Sequence, residues 1–212
     1  MLPITLDLAH LPVALIGNGA QTCRRLALLD EAGAEHLHVF APDAGDDLVR
    51  RAGSRLRRRW PRPQEISAAR LVLIADGIDP DTERDMVALA RAAGTLVNVE
   101  DKPALSDFHS PALLRRGDLT IAISTGGRSP ALARRLRQSL ELLFGPEWQR
   151  TVEELARLRH LWRATGADGA EVNASTEAWL DRHGPSIQPH AAVQRMRQRN
   201  PTRGGHDVPQ AW

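Results

Sequence analysis

The sequence predicts an α/β protein built on a parallel sheet, because short apolar runs alternate with helical patterns along roughly its first half. Gly33 and Gly94 follow apolar positions at helical spacing and are typical helix ends. Strands are predicted at residues 13–16, 36–40, 71–74 and 95–99. A helix is predicted at residues 81–93, and this alternation favours a sheet that is covered on both faces.

A glycine turn follows the first predicted strand. Gly17 and Gly19 flank Asn18, and a helical pattern begins near Ala20. Such a turn lets the backbone approach a pyrophosphate, and the helix N-terminus offers N–H groups and a positive dipole end to that anion. The turn therefore predicts a Rossmann-type domain that binds NAD(P). A simple tight turn between a strand and a helix is the alternative.

The ribose of such a cofactor usually meets a carboxylate near the end of the second strand. Asp43 is the candidate for this contact, whereas Arg50 or Arg51 would favour the 2′-phosphate of NADP. The choice leans to NAD and stays open. The candidate cofactor-binding residues are Gly17, Asn18, Gly19, Ala20, Asp43 and Ala75.

The second half of the chain predicts one strand followed by helices. The strand at Leu119–Ile123 leads to Ser129, a natural N-cap, and Pro130 is suited to the first helical position. Apolar stripes predict one amphipathic helix after Pro130 and another over residues 148–162. A short helix is expected around Trp179.

Composition restricts the class of protein. The single cysteine, Cys23, excludes an internal disulfide framework and favours a reducing cytoplasm. No apolar run approaches the ~20 residues that span a bilayer, and we expect no signal peptide. The arginines between Arg50 and Arg62 predict a solvated helix face, with a nucleic-acid patch as the less favoured alternative. The histidines show no metal-binding spacing, so we predict no metal site.

Two further segments could carry chemistry. Asp101 follows the fourth predicted strand, at the edge where open parallel sheets bind ligands, although an aspartate before Pro103 is also common in turns. Residues 124–127 offer two hydroxyls and a flexible backbone before a helix N-terminus, and could hold a ligand carboxylate or phosphate. A glycine hinge is the alternative for this loop.

Several strings occur in a familiar order: VALIGNG at 13–19, FHSPA at 108–112 and LTIAISTGGRSPALA at 119–133. Together they resemble the precorrin-2 dehydrogenase/sirohydrochlorin ferrochelatase family, which also forms the N-terminal module of siroheme synthase. The last string is the most specific, and the resemblance covers residues 2–145.

The resemblance implies a homodimeric enzyme that oxidises precorrin-2 to sirohydrochlorin with NAD, and many members also insert ferrous iron. It implies an NAD-binding Rossmann-type domain at 1–106, a strand-containing dimerisation segment at 107–145 and a helical C-terminal domain at 146–183. Residues 184–212 lack periodicity and are predicted to be a disordered tail.

Site residues follow from the same resemblance. Asp101 matches the family's key aspartate and is the candidate general base. Because the tetrapyrrole carries many carboxylates, Arg24, Arg25 and Arg115 are candidates for holding it. The main candidate substrate-binding residues are Arg116, Ser124, Thr125, Gly126 and Arg128.

The sequence also departs from the family's usual residues at Thr22, Phe40, Asp76 and Arg84, all near the expected cofactor. Two alternatives therefore stay open. One is a relative that only inserts metal and has lost its NAD site, and the other is a non-catalytic tetrapyrrole-binding relative.

Overall fold

A computed structural model describes residues 2–185, which form two compact units divided between Ser110 and Pro111. The predicted tail lies outside the described residues from position 186 onward. The first unit is built on a five-stranded sheet. Its strands are β1 (Val13–Ile16), β2 (Leu37–Phe40), β3 (Leu56–Arg57), β4 (Leu71–Ile74) and β5 (Leu96–Val99).

All pairings in this sheet are parallel, in the order β3-β2-β1-β4-β5. This is the Rossmann strand order. Strands β1 to β3 are added toward one edge of the sheet, and β4 and β5 are added on the other side of β1. Every side chain of β1 and of β4 is buried, which is the pattern of a strand covered on both faces. The predicted parallel sheet is confirmed, and β2 and β5 begin one residue later than expected.

Helices cover both faces of the sheet. Side chains that alternate along β1 enter two separate apolar clusters, Leu15 in one and Ile16 in the other. Helices α1 (Ala20–Glu31) and α2 (Asp46–Ala52) contribute to the first cluster through Leu26 and Leu48. Helices α3 (Pro63–Ala68) and α4 (Pro80–Ala92) contribute to the second cluster.

The second unit begins with an antiparallel hairpin of β6 (Ala112–Arg116) and β7 (Leu119–Ile123). Helices α5 (Pro130–Leu143), α6 (Glu147–Ala164) and α7 (Gly169–His183) follow. Ser129 caps α5 as predicted, because its hydroxyl accepts a hydrogen bond from the Leu132 N–H. Helix α7 has 15 residues and is longer than the short helix expected there, since Asp168 and Glu171 form a capping box at its start.

The arginine-rich stretch is not one helix face. Arg50 and Arg51 lie in the last turn of α2, but that helix ends before Gly53, whose φ is 53°. Beyond it, Arg55 forms an ion pair with Asp30, so the positive charge is distributed over several elements. The sequence pattern overestimated the helix because arginine is a good helix former and only the glycine signals the turn.

None of the helices in residues 2–185 is long and apolar enough to cross a membrane.

Candidate functional site

The carboxyl ends of the parallel strands bring three loops together at one edge of the first unit. Gly17 follows β1, and its N–H donates to the carbonyl of Phe40 at the end of β2, with 3.0 Å between nitrogen and oxygen. The Asn18 N–H donates to the carbonyl of Asp76, which follows β4, at 2.9 Å. Ligands of open α/β sheets bind at this edge, next to the reversal of strand order.

The glycine turn is closely packed. Gly17 has a φ of 151°, and a Cβ at this position would lie 2.3 Å from Thr22 Oγ1 and 2.9 Å from the Asp76 carbonyl oxygen. A Cβ at Gly19 would lie 2.2 Å from Asp76 Oδ2. Gly17 therefore requires glycine because of its backbone conformation and its packing, whereas at Gly19 a Cβ would meet only a side chain that reaches over the backbone.

The side chain that reaches over Gly19 belongs to Asp76. Its carboxylate accepts hydrogen bonds from the N–H groups of Gly19, Gln21 and Thr22, each at 3.1 Å. It accepts another from the Thr22 hydroxyl at 2.9 Å. Helix α1 has no side-chain cap of its own and no acidic residue in its first turn. Asp76 supplies that cap from a distant point in the sequence, and places a negative charge at the positive end of the helix dipole.

The Asp76 carboxyl is ionised at neutral pH. Its partial burial would raise its pKa, but hydrogen bonds from Gln21, Thr22 and Gly19 outweigh that effect and hold the pKa below its ordinary value. A carboxyl whose pKa is lowered by folding stabilises the fold above its unfolded pKa, and this stabilisation is lost as pH falls through the folded pKa. Around neutrality the carboxylate therefore holds the turn and α1 together.

The donors of the glycine turn are the groups that would hold the pyrophosphate of a dinucleotide. The turn has the required glycines and a helix N-terminus, so its backbone matches that role. However, the N–H groups of Gly19, Gln21 and Thr22 already donate to Asp76. With Asp76 in this position, the turn does not fit a pyrophosphate.

The other predicted cofactor residues surround this turn. Asn18 connects two loops, since its side-chain oxygen accepts from the Asp43 N–H at 3.0 Å and its amide nitrogen donates to the Gly77 carbonyl at 3.3 Å. Asp43 is exposed, and Ala75 is buried with its N–H on the Ile16 carbonyl. A cleft of about 620 Å³ beside the turn is lined by residues that include Asn18, Gly19, Ala20, Cys23, Asp46 and Arg51.

Asp101 lies just beyond β5 at the same edge of the sheet. It is the only residue other than glycine with a positive φ in residues 2–185, at 55°. Its side chain is exposed, and its carboxylate makes no hydrogen bond or ion pair within the described part of the chain. Aspartate tolerates this left-handed conformation better than most residues. Beyond the bend the chain returns alongside β5, where the Asp107 N–H donates to the Val97 carbonyl at 2.7 Å.

The residue after Asp101 anchors this bend. Lys102 Nζ lies 2.6 Å from Glu83 Oε1, and the Glu83 side chain on α4 is buried. A buried carboxylate is stable only when it is paired, so Lys102 neutralises Glu83 while holding the loop against α4.

Removing the Lys102 charge should destabilise the first unit. We expect Lys102→Met to lower the free energy of unfolding by about 2 kcal/mol, less than for a fully buried pair because Lys102 is half exposed. Urea denaturation followed by circular dichroism measures this. The double variant Lys102→Met/Glu83→Gln is the control and should recover most of the loss, because a neutral amide needs no counter-charge. Equal losses in both variants would contradict this explanation.

Two of the candidate arginines near this edge are already engaged. Arg25 forms an ion pair with Glu100 and also donates to the Ser110 hydroxyl at 2.7 Å. Arg24 donates to the Gln21 side chain at 3.1 Å and is exposed. Arg24 is therefore the freer of the two to meet a carboxylate.

In the second unit, the predicted substrate loop is organised by its own hydroxyls. Thr125 Oγ1 accepts from the Ser129 N–H at 3.0 Å, and Ser124 Oγ accepts from the Gly126 N–H at 3.2 Å. Arg128 is exposed next to them, and Gly126 has a φ of 63°. Arg116 is directed elsewhere, since its Nε donates to the Phe144 carbonyl at 2.8 Å.

The residue that matters most at the glycine turn was not assigned a role from sequence. Asp76 and Thr22 were recognised only as departures from the family pattern, whereas the structure places them in contact. The sequence signal for this contact is that Thr22 and Asp76 both depart from the family's usual residues near the expected cofactor. In residues 2–185 no group of three or more His, Cys, Asp or Glu side chains could hold a metal ion.

A parallel sheet in Rossmann order, with a glycine turn at the N-terminus of its first helix, defines the class of dinucleotide-binding folds. A family model described as "Putative NAD(P)-binding" matches residues 4–112 of the chain. A second model, "Sirohaem biosynthesis protein central", matches residues 116–142. The chain therefore belongs to the NAD(P)-binding family, with a sirohaem-type segment directly after the matched domain.

Curated relatives of the chain are siroheme synthases, in agreement with the two family models. The siroheme synthase of Nitrosomonas europaea is 34% identical over 167 residues, which is 74% of this chain and 34% of that protein. The siroheme synthase of Nitrosococcus oceani is 35% identical over 161 residues, with the same two shares. The chain thus spans about a third of the length of these curated relatives.

A solved structure, "SirC, precorrin-2 dehydrogenase", superposes with a TM-score of 0.71 at 20% sequence identity. The superposition covers 93% of this chain and 100% of that chain. It confirms the predicted fold class, a Rossmann-type domain followed by a small strand-containing segment and by helices.

Proposed function

We propose that this chain catalyses the NAD-dependent oxidation of precorrin-2 to sirohydrochlorin in siroheme biosynthesis, and that it also inserts ferrous iron into the product. The observation that carries the proposal is the succession of two matches in one chain, an NAD(P)-binding domain at 4–112 and a sirohaem-specific segment at 116–142. The siroheme synthase relatives, which match 74% of the chain, support the same substrate.

Asp101 is the general base of the proposed reaction. Oxidation of precorrin-2 releases a proton, which needs an acceptor close to the tetrapyrrole. Asp101 supports this role because its carboxylate is exposed, carries no partner among the described residues and lies at the ligand-binding edge of the sheet. In iron insertion the same carboxylate would accept protons from the pyrrole nitrogens.

The substrate is a polycarboxylate, so its binding requires positive charge and hydrogen-bond donors. We assign this role to Arg128 and Arg116 and to the loop of Ser124, Thr125 and Gly126. The exposed guanidinium of Arg128 gives the strongest support, whereas Arg116 would have to contribute through donors other than its Nε. NAD is the proposed cofactor, with Gly17, Asn18, Gly19, Ala20, Asp43 and Ala75 as its contacts.

The proposed functional unit is a homodimer in the cytoplasm. Leu132 and Leu136 on α5 are 49% and 43% exposed, which leaves an apolar stripe on this helix for a second copy to cover. The cytoplasmic assignment relies on the single cysteine.

A second candidate function is metal insertion without oxidation. Asp76 favours it, because its carboxylate occupies the donors that a pyrophosphate needs.

One experiment separates the two candidates. Anaerobic incubation of the protein with precorrin-2 and NAD should convert the tetrapyrrole to sirohydrochlorin. The change in the absorption spectrum of the tetrapyrrole measures this conversion. A parallel incubation with sirohydrochlorin and ferrous iron should yield siroheme. Product in the second incubation alone would establish metal insertion and overturn the dehydrogenase, and no product in either would overturn both.

A further inference from the structure

The carboxylate of Asp76 and the pyrophosphate of a dinucleotide would compete for the same donors. The N–H groups of Gly19, Gln21 and Thr22 point at one anion, and in this chain that anion is a side chain. The 2.2 Å between Asp76 Oδ2 and a Cβ built at Gly19 shows how closely the carboxylate approaches the glycine backbone. A pyrophosphate requires that same approach, so the two cannot be bound together.

The position of the carboxylate is reinforced by Thr22. This residue is fully buried, and its hydroxyl donates to Asp76 Oδ1 at 2.9 Å. A buried hydroxyl that loses its partner costs free energy, so Thr22 resists displacement of the carboxylate. In the usual dinucleotide turn the residue at the position of Thr22 is small, and it has no hydroxyl to hold a carboxylate in place.

Only the Asp76 side chain, and not its backbone, could move aside. The Asp76 carbonyl accepts from the Asn18 N–H at 2.9 Å, and the preceding Ala75 N–H donates to the Ile16 carbonyl at 2.8 Å. Asn18 also holds Gly77 through its side chain. The main chain is therefore fixed on both sides of Asp76, and release of the anion site requires rotation of the side chain alone.

Charge adds to this competition. The carboxylate is ionised at neutral pH, so a pyrophosphate approaching α1 meets a negative charge where it needs positive potential. No lysine or arginine in residues 2–185 is hydrogen bonded or ion paired with Asp76, so no cationic side chain neutralises its carboxylate directly.

We propose that Asp76 sets the affinity of this chain for dinucleotides, because its carboxylate occupies the pyrophosphate position and must rotate away from α1 before NAD can bind. The inference rests on the proposed function only for the choice of NAD as the ligand. It makes the turn of Gly17 and Gly19 a latent dinucleotide site whose occupant is part of the chain itself.

Calorimetric titration tests this proposal with two probes, NAD and inorganic pyrophosphate. We expect Asp76→Ala to bind both at least ~10-fold more tightly than the unmodified protein, because a capping carboxylate contributes about 1–2 kcal/mol at a helix N-terminus. The double variant Asp76→Ala/Thr22→Ala removes the buried hydroxyl that would otherwise lose its partner, and should bind as tightly as the single variant. Circular dichroism shows that each variant is folded.

Asp168→Ala is the matched control. Asp168 caps α7 in the same way, with its carboxylate on the Glu171 N–H at 2.9 Å, but it has no glycine turn beside it. It should leave both affinities unchanged. Unchanged or weaker binding by the two folded Asp76 variants would overturn the proposal.

The precorrin-2 assay keeps this inference separate from the proposed function. Tighter NAD binding by Asp76→Ala together with no oxidation by any variant would support the inference and overturn the dehydrogenase. If the unmodified protein oxidises precorrin-2 and Asp76→Ala does not raise the affinity for NAD, the dehydrogenase is supported and the inference about Asp76 is overturned.

Discussion

Replacing Asp101 with asparagine is expected to reduce kcat/KM for precorrin-2 oxidation by about 10²-fold or more, while leaving the protein folded. The amide keeps the size of the side chain but cannot accept a proton, and a positioned base contributes about 10²–10⁴-fold. Asparagine also tolerates the φ of 55° at this position, so no backbone strain is added. Anaerobic single-turnover and steady-state measurements with precorrin-2 and NAD give the value.

Two further variants define the role of Asp101. Asp101→Gly removes the carboxylate and suits the left-handed backbone, so it should lose as much activity as Asp101→Asn. Asp85→Asn changes an exposed aspartate on α4 and should leave kcat/KM unchanged. Near-normal rates for Asp101→Asn would exclude Asp101 as the base.

The second large effect concerns stability. Gly17→Ala is expected to lower the free energy of unfolding by about 3 kcal/mol, since the new Cβ would collide with Thr22 Oγ1 and with the Asp76 carbonyl. The carbonyl belongs to the fixed backbone after β4 and cannot move aside without breaking its hydrogen bond from Asn18. Urea denaturation of the variant and of the unmodified protein measures the difference.

Gly33→Ala separates strain from collision. Gly33 also has a positive φ, 73°, but a Cβ there would meet no atom within 4 Å. This control should lose only about 1 kcal/mol, the cost of the left-handed conformation for alanine. A loss as large as that of Gly17→Ala would show that packing against Asp76 and Thr22 contributes nothing.

Much of the first unit could be predicted from the sequence. Short apolar runs such as β1 and β4 are visible as strands, and long helices such as α4 show their apolar spacing directly. The elements that were missed, β3 and α3, have two and six residues. Segments this short complete too few turns or alternations to show a period. The hairpin strand β6 also lacks a visible period. Its three apolar residues are followed by two arginines, so apolar and polar residues do not alternate along it.

The sequence by itself determined that a glycine turn follows β1 and that Asp101 follows β5, because both features are local. Which group meets the turn was decided only by tertiary structure. Parallel pairing of β1 with β4 places the loop after β4 over the start of α1, although Asp76 and Thr22 are 54 positions apart. Helix α1 lacks a cap of its own, so its free N–H groups bind the nearest carboxylate that this pairing supplies, and that carboxylate is Asp76.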